Sequence, residues 1–154
     1  MLELGNKVNR ELTYKAFFES LGYRHVSVDW NGLNGAVRAD LRRPLNLGAF
    51  DFVSNIGTTE HVDDQHGVWR NVCEAMHVNS VLISNTPAPG HWRNHGIFYP
   101  TEEFYRQLAA RNGLVIERLY IEGCAGRKMV FARMNRAAEA PFLMPDESTI
   151  YRNK

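Results

Sequence analysis

Two short runs, FDFVSN at 50–55 and SVLISN at 80–85, enclose a segment whose Val68, Val72, Ala75 and Met76 fall on one helical stripe. A strand, an amphipathic helix and a second strand at this spacing predict a βαβ unit, because parallel strands cannot be joined by a tight turn and need a crossover. That unit commits the chain to a largely parallel sheet with helices packed on it. The same alternation runs through the rest. Residues 2 to 5 read as a short buried strand, and Tyr14, Phe17, Phe18 and Leu21 as one face of a helix that Gly22 ends. YRHVSVD at 23–29 is strand-like, with Val26 and Val28 on one side. Asp63 and Asp64 sit where a helix N-terminus favours acids, and Thr101 is the expected cap of a helix that buries Phe104 and Leu108 and stops at Gly113. LVIERLYI and RKMVFARM around EGCAG predict an antiparallel hairpin that closes the sheet. The expected fold is therefore α/β, a Rossmann-like three-layer sandwich with a mostly parallel sheet and an antiparallel C-terminal hairpin. One domain is expected over residues 1–134, followed by a surface tail over 135–154.

The third strand is the exception. Only Trp30 to Gly35 separate the second strand from Ala36, too few residues for a helical crossover, so AVRAD at 36–40 is expected to be a stub. A sheet edge with so little cover is expected to be buried in a symmetric homodimer or under the tail, which carries Phe142, Leu143, Met144 and Ile150.

Composition removes several classes of function. The 154 residues are 44% hydrophobic and 23% charged, which suits one globular domain. A net charge of +1 lacks the basic footprint of a nucleic-acid binder, so no nucleic-acid partner is expected. Cys73 and Cys124 form no CxxC pair and read as small buried hydrophobes of a reducing compartment. No stretch is long enough to span a membrane, and Met1 runs into Leu-Glu-Leu-Gly without a basic leader. The expectation is a soluble, cytoplasmic protein with no membrane partner.

In open α/β sheets a ligand sits beyond the carboxyl ends of the strands, where the strand order reverses. Glu3 to Lys7 would lie there. A dinucleotide pyrophosphate needs several glycines in that turn, and Gly5 stands alone. Asp29, ending the second strand, offers a carboxylate that can accept from two adjacent hydroxyls. Asn55 and Thr58 follow a central strand and are candidates for the pocket wall. Four histidines, His61, His66, His91 and His95, fall in two loops at one edge of the sheet. Of these, His61, His91 and His95 are candidate proton acceptors, since imidazole titrates near neutrality. The spacing of His91 and His95 would suit a metal on a helix, but Pro89, Gly90 and Gly96 make the segment a loop, and no metal site is expected. Trp92, Phe98 and Tyr99 supply an apolar wall for a small or medium organic molecule.

LELG, VDWNG and FDFVSNIGTTEHV resemble, in order, the first, second and fourth-strand motifs of the class I S-adenosylmethionine-dependent methyltransferases, in a compact, type 11-like form. The resemblance covers Leu2 to about Met134. It implies S-adenosylmethionine as cofactor and methyl transfer to an oxygen or nitrogen of a small organic acceptor. It places the methionine part of the cofactor against Glu3, Gly5, Asn6 and Lys7, with Lys7 pairing its carboxylate, and the ribose on Asp29. It also places the adenine beside Trp30, Asp40 and Leu41, and the turn Asn55, Gly57 and Thr58 on the cofactor's inner side. Lys7 and Asn9 stand where the family continues its glycine motif. Two other readings of the residues stay open: a non-catalytic binding or assembly module on the same fold, and a histidine-metal hydrolase.

Overall fold

The computed structural model describes residues 1–5, 8–9, 12–124 and 126–153, excepting the side chains of Val8, Asn9, Leu12, Thr13 and Cys124. In chain order the strands and helices are β1 (Leu2–Leu4), β2 (Val8–Asn9), β3 (Leu12–Thr13), α1 (Tyr14–Ser20), β4 (Val26–Asp29), β5 (Val37–Arg38) and β6 (Phe50–Ile56). There follow α2 (Gln65–Glu74), β7 (Met76–Pro87), β8 (Phe98–Pro100), α3 (Glu102–Arg111), β9 (Leu114–Cys124), β10 (Arg127–Arg136) and β11 (Ile150–Arg152).

Seven strands form the main sheet in the order β5-β4-β1-β6-β7-β10-β9. From β5 to β7 the pairs are parallel, and β10 joins β7 and β9 antiparallel. The expected Rossmann-like sandwich with its closing hairpin is thus the fold observed. Register fixes what each face carries. Leu2 and Leu4 lie level with Val26 and Val28 on one side and with Val53 and Asn55 on the other, so these side chains share a face. Leu82, Val130, Ala132 and Met134 extend it, and α2 and α3 cover it with Val68, Trp69, Val72, Phe104 and Leu108 in one core. Asp64 caps α2 by accepting from the Gly67 amide, and Thr101 caps α3 by accepting from Phe104 N–H. Burial in this core pushes the Cys73 thiol up to about 12, which keeps it a neutral, unreactive hydrophobe.

The opposite face is polar at its centre. Glu3, Ser27 and Ser54 are level with one another and buried, and His25 Nε2 lies 3.2 Å from Glu3 Oε2. Phe18 of α1 stacks on His25 at 5.8 Å. Burial, and then the positive charges of Lys15 and the N-terminus, hold the His25 imidazole below its ordinary pKa.

Two elements differ from expectation. α1 buries none of its residues: Tyr14 and Phe17 are exposed, as is Leu21 just beyond its end, while Phe18 contacts His25 and Phe52 and Lys15 donates to the His25 carbonyl. β5 is the expected stub: it pairs parallel with β4 through two residues and without a crossover helix. The tail is tied down: β11 pairs antiparallel with β8, and Phe142, Met144 and Ile150 pack against the core while Leu143 is exposed. Buried Arg136 fastens its start, donating from Nη1 to the Cys73 carbonyl and from Nη2 to the Ala140 carbonyl. No helix is long and apolar enough to cross a membrane among the described residues.

Candidate functional site

The carboxyl ends of β1, β4 and β6 open into a cleft of about 530 Å³, lined on one side by Gly5, Asp29, Trp30, Asp40 and Leu41 and on the other by Gly57, Thr58, His61 and Ile97. The site lies where strand order reverses, because chain passage from β1 leads outward to β4 while β6 returns to the other side of β1. Gly5 turns the chain out of β1 at φ +73°, and a Cβ there would run into Thr58 Oγ1. Thr58 closes the floor by donating to the Leu4 carbonyl at 2.8 Å. Only glycine meets both demands.

Asp29 ends β4 half-buried, with Oδ1 accepting from Asn31 N–H at 3.0 Å. Trp30 beside it is 65% exposed, an indole presented as a wall with little of the protein behind it. Asp40 lines the cleft, but its carboxylate is gripped by the Arg42 guanidinium, Nε to Oδ1 at 2.9 Å and Nη2 to Oδ2 at 2.9 Å. Hydrogen bonds from Arg42 hold Asp40 below the usual carboxylate range.

Two of the residues predicted to hold the cofactor fall elsewhere. Glu3 is sealed in the His25 pair within the sheet and does not line the cleft. Asn55 is also outside it: its Nδ2 donates to Thr59 Oγ1 and Ser84 Oγ, both at 2.9 Å, and its Oδ1 accepts from Thr59 N–H. Asn55 therefore fixes the turn Thr59–His61 to the end of β6. Tyr105 Oη backs the same network through Ser84 and Thr86, its burial pushing the phenol up to about 12. Asn6 and Lys7 lie outside the described residues.

That turn brings His61 to the cleft and sets Glu60 and His95 behind it, outside the lining. Glu60 is fully buried, with Oε1 3.6 Å from His95 Nε2 and 3.9 Å from His61 Nε2. The two rings meet edge to face at 4.7 Å. His95 is also stacked on Trp92 at 3.8 Å, and the Arg127 guanidinium sits 3.9 Å over the same indole. Trp92 and Asn94 adopt φ +57° and +58°, a strained path held from outside. Tyr99 Oη donates to the Trp92 carbonyl, and Asn153 from the tail donates to Tyr99 Oη and to the Gly96 carbonyl. Gly96 packs so tightly on Glu60 that an added Cβ would lie 2.6 Å from Glu60 Cγ. His91, in contrast, lines a separate depression with Ala88, Pro89 and Lys128, and His66 packs on Phe142. The expected single pocket of His61, His91 and His95 is thus corrected: β7 leads His91 to another part of the surface, and only His61 and His95 meet.

Glu60, Ile97 and Arg127 were not singled out from the sequence. Glu60 directly precedes His61, and that adjacency was the available signal. The Gly96 contact and the Arg127 stack depend on residues far apart in the chain.

No protein-family model matches the sequence, and no curated protein sequence does. Solved structures do match by fold. The 1,6-didemethyltoxoflavin-N1-methyltransferase of Burkholderia thailandensis aligns with a TM-score of 0.64 at 15% identity, over 89% of this chain and 71% of that one. A TehB-like SAM-dependent methyltransferase from Corynebacterium glutamicum aligns at 0.60 and 15% identity, over 88% and 78%. The N-methyltransferase NodS of Bradyrhizobium japonicum aligns at 0.58 and 13% identity, over 88% and 76%. The chain has the Rossmann-like fold that these S-adenosylmethionine-dependent methyltransferases share.

Proposed function

We propose that the protein transfers a methyl group from S-adenosylmethionine to an oxygen or nitrogen of a small organic acceptor. The observation that carries this is one cleft at the sheet's reversal point holding the tight Gly5 turn, an acid at the end of β4 and an aromatic side chain beside it. The residues fit the cofactor. Gly5 gives the backbone approach, Asp29 can accept from two ribose hydroxyls, and Trp30 with buried Leu41 offers apolar surface to adenine. Asp40, half-committed to Arg42, would take the adenine amino group on its remaining lone pairs. When bound, the cofactor supplies a methyl sulfonium, already a strong electrophile. The chain must then align a nucleophile and keep out water.

His61 lines the cleft where that nucleophile would sit, with His95 edge to face beside it and Glu60 behind both, and either imidazole would take up its proton. Several structural neighbours are named as N- or O-methyltransferases, which supports either atom as acceptor. Incubation with methyl-labelled S-adenosylmethionine and a metabolite extract tests the reading. Label is expected in the small-molecule fraction, with His95→Ala slowing its appearance about 100-fold. Label confined to protein or nucleic acid would contradict a small acceptor.

A further inference from the structure

We propose that Glu60, His61 and His95 bind a divalent transition-type cation at the acceptor end of the cleft. Their three donor atoms lie within 4.8 Å of one another, and the Glu60 Oε1 distances to the two Nε2 atoms are 3.6 and 3.9 Å. A cation held at about 2.0–2.2 Å by such ligands spaces neighbouring donors roughly 3.3–3.6 Å apart in a tetrahedron. The two glutamate–histidine separations are near that spacing. Closing the third asks only a small swing of His61, whose side chain is 46% exposed, while His95 is fixed by its stack on Trp92.

The chemistry of the set is specific. Two imidazoles and one carboxylate favour zinc, cobalt, nickel, manganese or iron(II) over calcium or magnesium, which prefer oxygen alone. Glu60 has no solvent exposure, and a dication between its carboxylate and the two rings would match a buried negative charge at short range. The HxxxH spacing of His91 and His95 pointed to a different pair. The structure instead builds the set from the turn after β6 and the loop after β7, clamped together by Gly96 against Glu60 and by Ile97 N–H donating to the Glu60 carbonyl at 2.6 Å.

Three protein ligands leave a coordination position open, and His61 and Ile97 line the cleft, so that position faces the acceptor. An acceptor hydroxyl bound there would release its proton to solvent water more readily, since a bound cation lowers the pKa of a coordinated oxygen acid; with both Nε2 atoms engaged as ligands, the cation would replace the imidazoles as the group that deprotonates the acceptor. This last step rests on the methyl-transfer reading; the binding of the cation does not.

The test uses the full chain freed of metal by a chelator and dialysed. Titration with Co²⁺, followed by visible d–d absorption, and with Zn²⁺, followed by calorimetry, is expected to saturate at one cation per chain. Glu60→Gln and His61→Ala should each weaken binding more than 10-fold, since even groups behind metal ligands are worth about 10- to 100-fold. His66→Ala should bind as the parent does. His61 is a surface side chain, so His61→Ala keeps the test valid if the buried Glu60 variant fails to fold. Absence of saturable binding, or binding indifferent to His61→Ala, overturns the proposal. S-adenosylmethionine titrated into the same preparation separates the two readings: cation binding without cofactor binding keeps this site and removes methyl transfer, and the reverse removes this site alone.

Discussion

Asp29→Ala is expected to weaken S-adenosylmethionine binding by about 10- to 100-fold while the protein still unfolds near the parent midpoint. The carboxylate lies on the cleft wall, where it can accept from two ribose hydroxyls, and a hydrogen bond to a charged group is worth about 1.5–3 kcal/mol. Its Oδ1 accepts from Asn31 N–H, while the Asp29 carbonyl, which the substitution leaves intact, accepts from Ala39 N–H and keeps β5 in register. Calorimetric titration set beside a denaturant curve separates the two effects. Parent-like affinity in a folded Asp29→Ala protein would remove this residue from the site.

The largest loss of stability is expected from Trp69→Ala. Trp69 has no solvent exposure and sits between Phe104 at 4.9 Å and Tyr105 at 5.8 Å, so it joins α2 to α3 across the core. Its indole N–H donates to Gln65 Oε1 at 3.1 Å, and Gln65 in turn donates to the carbonyls of Thr59 and Val62. Truncation leaves a cavity and frees the side chain that supports the Glu60 turn. A large-to-small change of this kind costs about 3–5 kcal/mol, a large share of the roughly 5–15 kcal/mol that holds a domain folded. The urea midpoint should fall accordingly with little change of slope. A loss below about 1 kcal/mol would mean that the core is not packed as described.

Much of the fold was legible because its signals are local. Alternating apolar strands, the stripe of Val68 and Val72, the caps at Asp64 and Thr101 and the short step from Asp29 to Ala36 are readable along the chain, and each has its counterpart in the structure. The cleft positions of Gly5, Asp29, Thr58 and His61 follow from the ends of strands in the same way, while those of Trp30, Asp40, Leu41 and Gly57 were implied by the family resemblance. What failed depends on tertiary placement. The helical stripe of α1 could not reveal that its sheet face is poorly covered, and Trp69 faces the core beside that of Val68 and Val72. Glu3 reads as a cofactor contact at the first turn, yet inside the sheet it meets His25, just before the neighbouring strand. His91 and His95 are four residues apart, but the turn at Gly90 and the positive φ at Trp92 and Asn94 send them to different surfaces.

The central claim is that the cleft at the β1, β4 and β6 ends is a cofactor site. Titration of the folded parent protein with S-adenosylmethionine and with its demethylated product S-adenosylhomocysteine measures this most directly. Saturable binding of both at one site per chain, each displacing the other, is the predicted result; a folded protein that gives no binding signal with either ligand would contradict it.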